Sequence, residues 1–215
     1  MIKRLLLTLP LLVFSLSCAA SEEPAAVEYE AGKHYDLISP ALRTSNPEKI
    51  TVTEFFWYGC GHCYNFEPLI QAWKKDLPED VEFSAMPAMW RENMVLHAQA
   101  FYAAQALGVL DKMHPALFQA MNVDRNPLNS EDDIEALFVA NGVSAEDFHK
   151  AYSSFGVSSQ VRQANSTARA AKLTGTPALM VNGKYFISSR KAGSQSEMLK
   201  VVDYLVEKER AAAGS

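Results

Sequence analysis

The sequence predicts an α/β domain interrupted by an all-helical insertion, and three observations carry that expectation. Runs rich in β-branched and aromatic residues at 50–57, 81–87, 177–181 and 185–187 read as strands. Between residues 93 and 155 no such run occurs, and apolar residues recur at helical spacing instead. Helical patterns also follow the first long run and close the chain, so strands and helices alternate on either side of the helical stretch.

The chain opens on a segment that reads as an export leader. Lys3 and Arg4 precede an apolar stretch at 5–16 and a small-residue cleavage zone, Ser17-Cys18-Ala19-Ala20. About 12 apolar residues fall short of the roughly 20 needed to cross a bilayer, so residues 1–20 are expected to be a cleaved signal peptide rather than an anchor. The alternative is lipidation of Cys18. The bacterial lipidation motif normally carries Leu three residues earlier, where Ser15 stands, so Cys18 is expected to leave with the leader.

Removing the leader leaves 195 of 215 residues, enough for one domain with an insertion. Composition, 48% hydrophobic and 21% charged, is that of a soluble globule rather than a disordered chain. Losing Lys3 and Arg4 takes the formal charge from −5 to −7, which argues against a nucleic-acid partner. Two cysteines remain, Cys60 and Cys63, too few for a disulfide-stapled scaffold. In an oxidising compartment outside the cytoplasm, a disulfide between them persists.

Residues 21–31 read as a short acidic arm, 33–38 as an edge strand, and 39–49 as a turn-rich connection with Pro40 and Pro47. The run at 50–57 is apolar on both alternating faces, as a central covered strand should be. Residues 60–77 follow as a helix with Phe66, Leu69, Ile70 and Trp73 on its core face, and 81–87 is the next strand. Val95, Ala98, Phe101, Tyr102 and Leu107 mark an amphipathic helix, with shorter ones at 117–121, 134–140 and 148–152. Ser130 with Asp133 and Ser144 with Asp147 read as N-caps. Residues 157–173 form another helix, and Asn182-Gly183 signals a hairpin between the last two strands. Ser194 and Glu197 form a capping box for a final helix that buries Met198, Val201, Val202, Leu205 and Val206. The expected division is 21–92 with 157–215 as one discontinuous domain and 93–156 as the insertion. The order β-β-α-β, helical block, α-β-β-α is a thioredoxin fold with an inserted all-helical domain.

The chemistry centres on Cys60-Gly61-His62-Cys63. Two thiols at this spacing on the first turn of a helix can close a small, strained disulfide, and the outer one sits in the positive field of the helix terminus. Unpaired N–H groups near His62 and Cys63 point at the Cys60 sulfur, which predicts a thiol acidified from about 8.5 into the range of roughly 3.5–7.5. Protonated His62 adds a positive charge, so Gly61-His62 is the expected thiolate-stabilising pair. Cys63, one turn in, is the shielded and less reactive thiol. A CxxC pair can also be half of a zinc site, but structural zinc wants four ligands and no second pair exists. His34, His97, His114 and His149 are scattered singly, so neither a metal nor another cofactor is expected.

Glu54 shares a face with Val52 and Phe56 and is expected beneath the helix. Burial would raise its pKa and let it relay a proton for Cys63; the competing reading is a glutamate paired with a buried cation. Trp57, Tyr58, Met89 and Trp90 either line an apolar groove beside Cys60 or pack into the core.

The segment Glu54-Phe55-Phe56-Trp57-Tyr58-Gly59-Cys60-Gly61-His62-Cys63-Tyr64-Asn65-Phe66-Glu67 resembles the active-site segment of the bacterial DsbA family of periplasmic dithiol oxidases. So do Gly175-Thr176-Pro177-Ala178 and Val181-Asn182-Gly183-Lys184-Tyr185. The resemblance implies a thiol:disulfide oxidoreductase that donates the Cys60–Cys63 disulfide to exported, folding proteins through a mixed disulfide. It implies a cis peptide at Thr176-Pro177 facing the disulfide, with the Thr176 backbone open to an extended substrate strand. It further implies a monomer re-oxidised by a quinone-linked membrane partner of the DsbB type. In DsbA itself a stabilised thiolate is known to make the disulfide a strong oxidant, and the resemblance implies the same property for this chain. The alternatives are a periplasmic reductase or isomerase on the same fold, or a thiol-based metal carrier.

Two departures stand out. Family members place a lysine near the buried glutamate on the next strand, whereas Val81-Glu82-Phe83-Ser84-Ala85-Met86 has none. They commonly carry Pro-His between the cysteines, whereas Gly61-His62 is typical of protein disulfide isomerases. A potential between those two types is expected, an interval of about 60 mV or roughly 2.8 kcal/mol.

Overall fold

The computed structural model describes residues 28–214, so the expected leader at 1–20 and Cys18 lie outside the described residues. Strand β2 (Ile50–Phe56) is the spine, buried over nearly its whole length. It pairs in parallel with β3 (Val81–Pro87) and antiparallel with β4 (Ala178–Val181). Strand β4 pairs with β5 (Tyr185–Ser188), and β5 with β1 (Asp36–Leu37), giving the order β1-β5-β4-β2-β3. The parallel β2–β3 pair needs a crossover, which α1 (Gly61–Trp73) supplies.

Apolar residues on both faces of β2 have separate partners. Val52 packs with Phe66, Ile70 and Leu205 on one side, and Phe55 packs with Ala168, Met180 and Phe186 on the other. Phe56, at the end of the strand, joins a third cluster with Phe101, Phe118, Phe138 and Phe148. That cluster belongs to α2 (Glu92–Ala106), α3 (Leu110–Asn122), α4 (Glu131–Ala140), α5 (Ala145–Tyr152) and α6 (Phe155–Ala170), which run between β3 and β4. The helices therefore meet the sheet at the end of β2 from which the cysteine loop departs.

Several boundaries differ from expectation. The edge strand shrinks to two residues because Gly32 donates to Tyr35 O and turns the chain just before it. Helix α1 begins at Gly61 with Cys60 as its cap, and ends at Trp73 in a single 3-10 turn, Lys74–Asp76. Helix α6 starts two residues early because the Ser154 hydroxyl caps Val157 N–H. A short helix α7 (Ser189–Ala192), which no sequence pattern marks, follows β5. Ser194 caps α8 (Gln195–Ala213), but the Glu197 carboxylate turns to accept from Tyr29 Oη at 2.5 Å instead of closing the capping box. Ser130 and Asp133 do form theirs. In the hairpin, Asn182 and Gly183 both have positive φ, and a Cβ on Gly183 would fall 2.2 Å from Leu42 O, so only glycine fits there. Among the described residues no helix is long and apolar enough to cross a membrane.

Candidate active site

Strand β2 delivers the chain into the turn 57–59, closed by Cys60 N–H donating to Trp57 O at 2.9 Å. Cys60 then takes the extended N-cap conformation, φ −94 and ψ 106, and its sulfur accepts the Cys63 N–H at 3.4 Å. A sulfur thus stands where Ser, Thr or Asp usually caps a helix. Cys60 is half-buried, Cys63 is fully buried, and both are free thiols.

The environment drives the two sulfurs apart. Cys60 is lowered to about 5, chiefly by a hydrogen bond from the Cys63 thiol. Burial opposes this, and the Thr176 side chain and the backbone N–H groups of Cys63 and His62 add to the lowering. Cys63 is pushed up strongly, first by burial and then by the hydrogen bond and charge of Cys60. At neutral pH the outer sulfur is a thiolate and the inner one a thiol.

Facing them, Thr176-Pro177 is a cis peptide, and its Thr176 carbonyl lies 3.4 Å from Cys60 Sγ, where it accepts from the sulfur only in the protonated form. The His62 imidazole is exposed, so the contribution of this residue to the sulfur runs through its backbone N–H. Its carbonyl accepts from Gln195 Nε2 at 2.6 Å, which ties the start of α1 to the start of α8. Gly61 has open space, with Asn122 Oδ1 at 3.9 Å from where a Cβ would stand.

Glu54 is 1% exposed, and its Oε1 has no hydrogen-bond partner. Burial raises its carboxyl well above the usual range, the Glu67 charge pushes the same way, Lys74 opposes, and Cys60 adds a further push upward. No ion pair reaches Glu54 among the described residues, so the reading of a glutamate matched to a buried cation is not what the structure shows.

A family model described as a DSBA-like thioredoxin domain matches residues 70–199, a span that begins just past the cysteine pair. Matches to full-length relatives extend across the segment that carries the pair. The thiol:disulfide interchange protein DsbA of Pseudomonas aeruginosa is 40% identical over 211 residues, covering 98% of this chain and 99% of its own. The protein of that name from Azotobacter vinelandii is 38% identical, covering 93% of each chain. The crystal structure of Pseudomonas aeruginosa DsbA superposes with a TM-score of 0.84 at 41% identity, covering 87% of this chain and 97% of the other. The chain belongs to the DsbA family of thiol:disulfide oxidoreductases. Its fold is the thioredoxin fold with helices inserted between β3 and β4.

Strand β3 carries no lysine, and no cation takes up the space beside Glu54 among the described residues. Ala85 is the β3 residue opposite Glu54, and the space beside it is a cavity of about 520 Å³ lined by Glu54, Glu67, Lys74 and His114. Lys74, in the turn after α1, is the cation that acts on Glu54 from a distance.

Of the four residues with a possible place in an apolar groove, Tyr58 is core, fully buried against Phe56 and Phe118. Trp57 is pinned by a 3.0 Å bond from its Nε1 to His97 Nδ1 and by the Arg91 guanidinium over its ring. Met89 is half-buried, and Trp90 is exposed. Two residues of the site, His114 and Asn122, escape the sequence reading, in which His114 is a lone histidine. Both hold Tyr58: the His114 Nδ1 meets its hydroxyl at 2.8 Å, and Asn122 Nδ2 donates to its carbonyl at 2.7 Å. The available signal is the spacing of His114, Phe118 and Asn122, which puts all three on one helical face.

Proposed function

We propose that this chain donates the Cys60–Cys63 disulfide to proteins folding outside the cytoplasm. The observation that carries the reading is the opposed acidity of the two sulfurs: a half-buried Cys60 lowered to about 5 and a buried Cys63 raised. A substrate thiolate attacks Cys60 Sγ, the bond to Cys63 breaks, and the electron pair stays on Cys63 Sγ. A second substrate thiolate attacks its own sulfur in the mixed disulfide and releases Cys60 as the stable thiolate. Stabilising the leaving thiolate makes the release favourable.

In this reading Cys60 and Cys63 are the catalytic residues, His62 stabilises the thiolate through its backbone N–H, Gly61 opens the helix that carries it, and Glu54 supplies the proton Cys63 takes. Thr176 and cis-Pro177 present backbone groups to an extended stretch of substrate, adding it as a strand without reading its side chains, which suits many clients. Residues 93–156 are the inserted unit, and the segments ending at 92 and running from 157 to 215 form the exchange module. The protein works in the periplasm as a monomer and is re-oxidised by a quinone-linked membrane oxidase of the DsbB type. Support for these last points is the family to which the chain belongs.

Gly61 gives the isomerase alternative its one foothold, and the two readings separate in a single assay. Incubation with a reduced multi-cysteine protein should give rapid oxidation, with scrambled disulfides left scrambled. Equilibration with glutathione should place the couple between about −120 and −180 mV. A potential near −270 mV, or repair of scrambled substrate as the main activity, would overturn the oxidase reading.

A further inference from the structure

Helix α3 reaches the redox site through a chain of hydrogen bonds that the exchange chemistry above does not use. His114 Nδ1 lies 2.8 Å from Tyr58 Oη, and His114 Nε2 lies 3.2 Å from Glu67 Oε1. Glu67 Oε2 accepts from Gln71 Nε2 at 3.2 Å, so this carboxylate is held at both oxygens. The His114 and Glu67 side chains are only 11% and 16% exposed, and the imidazole stands edge-on among Phe56, Tyr58, Phe101 and Phe118. Tyr58 is buried beside a carboxylate and keeps its proton, so it donates to Nδ1 and leaves Nε2–H to donate to Glu67.

Glu67 and His114 open onto the same cavity as the unpartnered carboxyl of Glu54. The charged residues around that cavity are Glu54 from β2, Glu67 and Lys74 from α1 and the turn after it, Glu82 from β3, and Asp111 and His114 from α3. Helix α2 contributes Phe101 and Gln105 and no charge. Carboxylates outnumber cations here, and among these residues His114 is the basic group in direct contact with Glu67.

We propose that His114 is a positioning residue of the exchange reaction, anchored on Tyr58 and holding the Glu67 carboxylate so that its charge keeps Glu54 loaded with the proton that Cys63 needs. The inference rests on the exchange reading above and extends it to the helical insertion. When a substrate thiolate attacks Cys60, the disulfide bond breaks and its electron pair remains on Cys63 Sγ. Glu54 transfers its proton to that sulfur and becomes a carboxylate, and it regains a proton from solvent in the cavity. Burial alone would push Glu67 up, and the hydrogen bond from His114 leads the contacts that reverse this and lower Glu67. An ionised Glu67 in turn raises Glu54. Removing His114 takes away the leading contact that lowers Glu67, so Glu67 holds its proton more readily, the push on Glu54 weakens, and Glu54 loses its proton at lower pH.

The test is the pH profile of disulfide transfer from the oxidised full chain to a reduced dithiol peptide, followed by stopped-flow fluorescence. In His114→Ala the alkaline limb should move to lower pH by about one unit, the size of a nearby-charge effect. Glu67→Gln should move it the same way, and the two changes together should not add. In a Glu54→Gln background neither should move the limb. His114→Gln, which keeps a neutral donor to Glu67, should restore part of the wild-type position and serves if the alanine variant does not fold. A limb that stays put in His114→Ala and Glu67→Gln, or that shifts equally without Glu54, would overturn the role of His114. A wild-type chain that fails to oxidise the peptide would overturn the exchange reading instead.

Discussion

Asn122 Nδ2 donates to the Tyr58 carbonyl at 2.7 Å, so the last turn of α3 grips the backbone two residues before Cys60. The same amide nitrogen lies 2.9 Å from Phe118 O within its own helix. The inserted helices thus fix the geometry of the loop that carries the reactive sulfur. Asn122→Ala leaves the Tyr58 carbonyl without this donor and should destabilise the fold by about 1 kcal/mol. Urea unfolding followed by tryptophan fluorescence checks it, and an unchanged midpoint would show that solvent satisfies the carbonyl equally well.

The acidity of Cys60 sets a pH signature. At pH 7 a thiol lowered to about 5 is present as thiolate in roughly hundredfold excess. Alkylation of the reduced protein by iodoacetamide should therefore stay fast as pH falls from 8 to 6, and decline only near 5. The depressed value also stabilises the folded reduced protein. This contribution is complete above the pKa of an unfolded thiol and is lost as pH falls through about 5. Alkylation that slows below pH 8, as for an ordinary thiol, would remove the driving force for disulfide donation.

Gly61 occupies the first helical position, where its N–H has no intrahelical acceptor and is not among the groups acting on the Cys60 sulfur. Cys60 already has the extended backbone that proline demands of its predecessor. Gly61→Pro should fold normally, gain about 0.4–1 kcal/mol from a stiffer unfolded chain, and shift the potential toward the more oxidising end of the expected interval. Thermal melting and glutathione equilibration measure the two effects. A loss of stability would mean that the turn needs the freedom of glycine.

Glu54 makes the fold weaker as pH rises. Its folded pKa lies above the unfolded value, so the native state binds more protons, and stability falls as pH climbs past about 4.5. Glu54→Gln removes that dependence. The variant should match the wild type near pH 4 and exceed it at pH 7, by an amount that grows with pH. Equal denaturation midpoints for the two proteins at both pH values would show that the carboxyl finds a partner or reaches water.

Much of the fold is legible in local pattern. The apolar run around Phe55 marks a central strand, because a strand covered on both faces can carry little else there. Asn182-Gly183 marks the hairpin, since few residues accept two positive φ values in succession. Counting along β2 tells which face Glu54 takes but not which neighbours it meets. The edge strand is shorter than its pattern suggests because the turn closed by Gly32 and Tyr35 delays its start, which leaves Asp36 and Leu37 to pair with Phe186 and Tyr185 of β5.

Chain-local information is enough for the thiol pair, its place at a helix start and the strand–helix order, because each depends on residues close together in the sequence. Packing alone settles that His114 and Asn122 hold Tyr58, that Glu54 Oε1 has no partner among the described residues, and that a cavity lies beside Ala85. Those facts join residues more than 30 positions apart, and the distances between them are fixed by how the helices pack on the end of β2.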